Sequence, residues 1–116
     1  PSTLLTMTYF GGEKAVPGYN VMGVCKAALD SFVKYLAFDL GPQGIRVNAL
    51  VPGLVETKFA AAIHENEKLR AAMERLVPMG RIAQPEEMAG AVLYLVSDAA
   101  SYTTGSCLTA DGGWLA

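Results

Sequence analysis

Residues 17 to 44, PGYNVMGVCKAALDSFVKYLAFDLGPQG, read as one long helix set between two short β-prone runs, and few folds accommodate that order. Pro17 and Gly18 break the chain before the helix, and Gly41-Pro42 stop it at the far end. Val21, Val24, Ala28, Leu29, Phe32, Val33, Leu36 and Leu40 recur at helical spacing, which predicts a buried stripe. Before the helix, residues 3 to 9 read as a strand, fully buried because it is apolar on both alternations. Gly11-Gly12 then permit a turn into the loop that leads to the helix. After it, residues 45 to 51 read as a second strand, ended by Pro52-Gly53. Strand, helix and strand with short joints make a βαβ crossover, with parallel strands and a right-handed connection.

The rest of the chain extends that unit. Residues 65 to 76 (ENEKLRAAMERL) form a charged amphipathic helix. Pro85, followed by Glu86 and Glu87, opens a further helix that runs through Leu95 and Val96 to about Ala99. Residues 106 to 110 are a third strand, closing into Asp111-Gly112-Gly113. The order β-α-β-α-α-β describes an α/β fold, the C-terminal half of a doubly wound (Rossmann-type) parallel sheet. Ligands of such sheets bind in the crevice outside the carboxyl ends of the strands, where Tyr9, Tyr19 and residues 52 to 57 fall. A G-x-G-x-x-G phosphate loop is absent, and the chain opens on Pro1 in the midst of a pattern. Residues 1–116 thus read as the catalytic half of a single domain whose dinucleotide-binding half lies elsewhere.

Composition narrows the functional classes. Hydrophobic residues make up 52% of 116, which argues for a packed core. A formal net charge of −2 gives no electrostatic reason to expect nucleic acid or an anionic membrane. No apolar run approaches the roughly 20 residues of a membrane span, so the expected setting is cytoplasmic. Cys25 and Cys107 read as reduced, buried thiols, and His64, the single histidine, as a solvated residue at a helix start. No cluster of His, Cys and carboxylates suggests a metal.

Tyr19 and Lys26 are the foremost candidates for chemistry. Both lie on the expected helix, where seven residues return them to nearly one face, with α-carbons roughly 10 Å apart at about 1.5 Å per residue. The lysine side chain leans back toward the tyrosine, leaving room for one small hydroxylated group. A nearby ammonium stabilises the charged form of a phenol, and a phenol can donate to an oxygen that becomes negative during reaction. From spacing alone, an exposed tyrosine at a helix start and a solvated lysine is the favoured reading over a site. Tyr9, at a strand end, either points into the crevice or packs beneath the following loop. Pro52-Gly53 after the second strand is either an ordinary turn or one that exposes backbone groups to a carboxamide, with the Thr57 hydroxyl near a phosphate.

Several strings together resemble the C-terminal half of the short-chain dehydrogenase/reductase family. They are the Tyr/Lys helix continuing as K-A-A-L-D, then G-P-Q-G-I-R-V-N-A-L-V-P-G-L-V-E-T, G-R-I-A-Q-P-E-E-M-A and S-Y-T-T-G-S-C-L-T-A-D-G-G. In the commoner members a tyrosine stands four residues before the lysine, and here that place holds Met22. Their catalytic serine, seventeen residues before the lysine, is replaced by Tyr9. Both differences make the chain similar to the enoyl-acyl-carrier-protein reductase branch. The resemblance implies hydride transfer from NADH or NADPH to the β-carbon of a 2-enoyl thioester carried on acyl carrier protein or coenzyme A.

It further implies Tyr19, Lys26 and Tyr9 as catalytic residues. Lys26, Pro52, Gly53, Val55 and Thr57 would hold the cofactor, and Tyr9, Tyr19 and Met22 would line the substrate pocket. It also implies a homo-oligomer formed through the helix at 20–40 and the C-terminal strand. Val51-Pro52-Gly53-Leu54 and residues 80 to 113 instead resemble ketone and alcohol members, which keeps a 3-ketoacyl or alcohol dehydrogenase open. A non-catalytic oligomerisation remnant is the reading of another class.

Overall fold

A computed structural model of the chain describes residues 2–57 and 65–116; His64 lies outside them. Three parallel strands form one sheet in the order β1 (Thr3–Met7), β2 (Arg46–Pro52), β3 (Cys107–Ala110). Leu5 pairs with Asn48, and Leu50 with Leu108. The central strand is a near-continuous apolar run because it is covered on both sides: Val47, Asn48, Ala49, Leu50 and Val51 are all buried.

β1 is not the fully buried strand its composition suggested, since Leu4 and Met7 remain 47% and 51% exposed. Among the described residues it pairs along one edge only, and Leu4 and Met7 project from opposite faces of that edge strand, where cover is incomplete. The strand also ends at Met7 rather than residue 9. Thr8 keeps one ladder bond to the Leu50 carbonyl (3.0 Å), and Tyr9 follows in extended conformation before a short 3-10 turn, Phe10–Gly12.

The long helix, α1, spans Val21–Leu40, shorter than the 17–44 expected. Gly18 (φ 80°) and Asn20 (φ 51°) occupy the left-handed region, so right-handed helix cannot begin before Val21. Tyr19 is therefore in the turn ahead of α1 and not on it. The face assigned to burial is corrected in part: Leu29, Val33 and Leu40 of the expected stripe are covered, the others are not. Val21, Val24 and Phe32 are 60–69% exposed, and α1 instead lays Gly23, Lys26, Asp30, Val33, Ala37 and Leu40 against β2 and the Phe10–Gly12 turn. The helix is apolar around much of its circumference. On the covered side, Gly23 allows the Gly11 carbonyl oxygen to come close, as a Cβ there would lie 2.8 Å from it. Both cysteines are exposed, not buried: Cys25 is on the outer face of α1 and Cys107 on the sheet's other edge strand.

Two polar residues of β2 hold the segment that leads into β3. Asn48, fully buried, donates to the Thr103 carbonyl (2.9 Å) and accepts from the Ser106 N–H (3.1 Å). Arg46 donates to the carbonyls of Leu95 (2.9 Å) and Ser97 (3.1 Å). Asn48→Leu strands the Ser106 N–H, which is expected to lower stability by about 1–3 kcal/mol. A fall in the urea midpoint at unchanged slope is the measurement.

Helix α2 (Glu67–Leu76) begins where Asn66 accepts from the Leu69 N–H (3.2 Å). Its Arg70 forms a forked ion pair with Glu56 (2.9 and 3.1 Å), tying the helix to the segment after β2. The following helix divides into a 3-10 turn, Pro85–Met88, and α3 (Ala89–Val96). Glu87 accepts from Nη1 and Nη2 of Arg81 (2.7 Å each) and from the Gln84 N–H (2.8 Å). Those donors, Arg81 foremost, lower its pKa from 4.5 to about 2. A depressed carboxylate stabilises the fold above its unfolded pKa and loses that contribution as pH falls through the folded one. Glu87→Gln is thus expected to flatten the decline of melting temperature between pH 4.5 and 2, and acid melting curves of both forms test it.

Candidate active site

The site is assembled at the carboxyl ends of all three strands. Thr8 closes β1: buried, it donates from Oγ1 to the Lys26 carbonyl on α1 (3.3 Å) while its N–H bonds Leu50 on β2. Lys26 answers from the helix, its Nζ donating to the Met7 carbonyl (3.2 Å). One of three ammonium N–H groups is thereby directed to the end of β1, and the charge is held at the crevice floor.

The Phe10–Gly12 turn lies flat on α1, and this explains its glycines better than a turn requirement does. Neither Gly11 nor Gly12 has a positive φ. A Cβ on Gly12 would come within 2.8 Å of the Ala27 nitrogen and 2.9 Å of the Lys26 carbonyl carbon. One on Gly11 would meet the Tyr19 ring at 2.5 Å, and one on Gly23 the Gly11 carbonyl oxygen at 2.8 Å. The missing side chains of Gly11 and Gly23 thus make the seat for the Tyr19 ring, while that of Gly12 lets the turn lie on the helix.

From that seat Tyr19 packs on Tyr9, with ring centroids 5.3 Å apart and planes tilted by 57°. Sequence placed these two residues near one crevice, and the structure brings their rings into contact. Burial pushes the Tyr9 phenol above its ordinary value, with Tyr19 adding a smaller like-charge effect. The Tyr19 phenol is raised too, first by desolvation and then by Cys25, so the expectation that Lys26 would lower it does not hold. The ammonium points to the Met7 carbonyl instead. Both phenols keep their protons at neutral pH. Met22, in the first turn of α1, is 47% exposed.

The segment after β2 differs from its reading as an open Pro-Gly turn. Pro52 is still in the strand, opposite Ala110, and the Gly53 N–H is taken by the Ala110 carbonyl (3.0 Å). Gly53 is glycine because Asp111 is so near: a Cβ would meet its α-carbon at 2.7 Å. Beyond it, the Leu54 carbonyl and Glu56 N–H both bond Ala83 (2.9 and 2.8 Å), with Val55 opposite Ala83 in a parallel bridge. Backbone groups alternate sides along extended chain, so the Val55 N–H and C=O face away from Ala83. A donor and an acceptor on one residue suit a carboxamide. Together with the ammonium at the end of β1, these groups fit a nicotinamide nucleoside. Thr57, two residues on, is exposed.

Trp114 joins the site through packing that its sequence position does not announce. It follows β3, yet its ring lies 4.8 Å from Phe10 and 6.2 Å from Tyr9. The only signal was that the chain's single tryptophan follows the Asp-Gly-Gly turn directly.

A parallel half-sheet with a tyrosine pair and a helix lysine gathered at its carboxyl edge defines a Rossmann-type chain of the short-chain dehydrogenase/reductase kind. The sequence profile of the family described as enoyl-(acyl carrier protein) reductase matches residues 1–115. The chain belongs to that family. It is 45% identical over 112 residues to the NADH-dependent enoyl-acyl-carrier-protein reductase 1 of Rhizobium meliloti, covering 97% of this chain and 41% of the relative. The corresponding Escherichia coli reductase is 39% identical over 113 residues, with 97% and 43% covered. The chain therefore spans about two-fifths of the length of these curated relatives.

Among solved structures, a gluconate 5-dehydrogenase from Burkholderia cenocepacia in complex with NADP and tartrate superposes with TM-score 0.93. It is 27% identical, with 97% of this chain and 44% of that one covered. A short-chain type dehydrogenase/reductase from Mycobacterium ulcerans superposes with TM-score 0.92 at 31% identity, covering 97% and 41%.

Proposed function

We propose that these residues are the catalytic C-terminal half of a 2-enoyl-thioester reductase that uses NADH or NADPH and acts on substrates carried by acyl carrier protein or coenzyme A. The observation that carries the reading is the Tyr9–Tyr19 ring pair beside an anchored Lys26, with methionine in place of a tyrosine at position 22. The nicotinamide, when bound, supplies a hydride to the β-carbon of the enoyl group. The electron pair of the double bond would then move to the thioester oxygen as an enolate. Tyr19 would donate a hydrogen bond to that oxygen while keeping its proton, and one proton from solvent, taken up at the α-carbon as the carbonyl re-forms, would complete the reduction.

Lys26 offers its remaining N–H groups to ribose hydroxyls. Val55 offers its N–H and C=O to the carboxamide, Thr57 lies toward the phosphate, and residues 52 and 53 set that segment's path. Tyr9 and Met22 line the acyl side. In a 2-enoyl thioester the oxygen lies further from the hydride-accepting carbon than in a ketone. A tyrosine placed before the helix rather than on its first turn suits that greater reach.

Support for the second reading, a 3-ketoacyl or alcohol dehydrogenase, comes from Val51-Pro52-Gly53-Leu54 and from the close superposition on a gluconate dehydrogenase. The complete polypeptide, offered crotonyl and acetoacetyl thioesters with each reduced dinucleotide, separates the two. Turnover of the keto substrate alone sinks the enoyl reading. The 116 residues alone are expected to show no turnover.

The outward face of α1, with Phe32 60%, Tyr35 71% and Phe38 83% exposed, is the surface we assign to self-association, continued by β3. Phe38→Glu is expected to shift the complete protein to a smaller species in sedimentation velocity; an unchanged species would remove α1 from the interface.

A further inference from the structure

Tyr9 stands on two residues of extended chain beyond its strand, with little local structure to hold its ring. The restraint comes from the other end of the molecule. Trp114 packs on Phe10 (centroids 4.8 Å, planes at 55°) and on Tyr9 (6.2 Å, 57°), and Phe10 meets Tyr9 edge-on (5.9 Å, 74°). The series Trp114–Tyr9–Tyr19 is thus continuous from the C-terminal turn to the phenol.

The base of that series is rigid. Asp111 accepts from the N–H groups of Gly113 and Leu115 through its two carboxylate oxygens (2.9 Å each), fixing the turn that presents Trp114. Gly112 (φ 64°) and Gly113 (φ 93°) allow the turn to press against residues 77 and 78. Cβ atoms there would meet Val77 at 2.7 Å and Pro78 at 3.0 Å. The Met79 N–H donates to the Gly112 carbonyl (3.1 Å), which joins the same turn to the segment leaving α2.

We propose that Trp114 is a positioning residue, clamping the Tyr9 ring and through it setting the Tyr19 phenol toward the substrate oxygen. This rests on the reading of Tyr19 as the donor. Trp114 touches neither substrate nor cofactor in this role. Its removal lowers the rate of reduction without weakening dinucleotide binding, because Lys26 and Val55 are held by other contacts.

The test uses the complete polypeptide and whichever of the crotonyl or acetoacetyl thioesters the parent protein reduces. Trp114→Ala is expected to lower kcat roughly tenfold, the scale of losing an aromatic pair in a site that depends on orientation. Dinucleotide affinity stays within about twofold of the parent, and Trp114→Phe recovers most of the rate. In a Tyr9→Leu background the same Trp114→Ala change is expected to cost less than about twofold, since the clamp then has nothing to hold.

Parent-like kcat in Trp114→Ala overturns the proposal. So does an undiminished loss in the Tyr9→Leu background, or a parallel loss of dinucleotide binding. Should Trp114→Ala fail to fold, Trp114→Leu keeps apolar bulk without the planar ring and takes its place. Reduction of acetoacetyl thioester alone overturns the enoyl reading and leaves the Trp114 comparison intact on the keto substrate. A fully active Tyr19→Phe, or a parent protein that reduces neither thioester, overturns both.

Discussion

Tyr19→Phe in the complete polypeptide is expected to reduce kcat by roughly 10²-fold or more while leaving dinucleotide affinity unchanged. The substitution removes one O–H and little else. The ring keeps its seat between Gly11 and Gly23 and its contact with Tyr9 at 5.3 Å. No second phenol takes over by proximity alone, because position 22 holds an exposed methionine and Tyr9 remains tied to Phe10 and Trp114. Steady-state kinetics with a crotonyl thioester, paired with fluorescence titration of the reduced dinucleotide, separates chemistry from binding. Parent-like turnover would move the hydrogen-bond donor to another group and refute the role assigned here.

Gly12→Val is expected to be the most damaging single change to the site's framework. Its Cβ would lie 2.8 Å from the Ala27 nitrogen, 2.9 Å from the Lys26 carbonyl carbon and 2.8 Å from an Asp30 carboxylate oxygen. Two of those atoms are helix backbone and cannot swing aside, so the turn must lift from α1. That displaces Tyr9 and Phe10 at one end and unsettles the Lys26 carbonyl, to which Thr8 donates, at the other. Overpacking of this kind costs about 1–3 kcal/mol. A misplacement near 1 Å in the site costs up to roughly 10²-fold in rate. Gly90→Ala is the control: nothing lies within 4 Å of its Cβ, it sits inside α3, and the exchange is expected to add about 0.5–1 kcal/mol. Urea unfolding of both variants beside the parent measures the contrast; equal stability of Gly12→Val and the parent would show that the turn does not depend on that contact.

Gly11 and Gly12 mark a limit of local sequence information. In sequence the pair signals a turn, because glycine gives conformational freedom. In the folded chain their φ values are ordinary, and what matters is the absence of a Cβ against a helix that starts nine residues later. Close approach between segments leaves no local trace.

The same limit governed the helix. Pro17, Gly18 and Gly41 bracket α1 from sequence, and its existence follows from local periodicity. Its first residue did not, because the left-handed Asn20 depends on how the preceding turn seats Tyr19. Which face turned inward is legible only in part, at Leu29, Val33 and Leu40, since α1 is apolar on more than one side and only the sheet decides which is covered.

Taken alone, the sequence determined the parallel α/β architecture, the crevice at the strands' carboxyl ends, and the family to which the chain belongs. Each rests on short-range information: periodicity, breakers, and residue types at fixed spacing. Only the tertiary structure decided that Tyr19 stands before the helix, that Lys26 reaches the Met7 carbonyl rather than the phenol, and that Gly53 spends its N–H on β3. It alone set Trp114 against Tyr9. These are contacts between segments far apart in the chain, and packing selects them only once the sheet has brought those segments together.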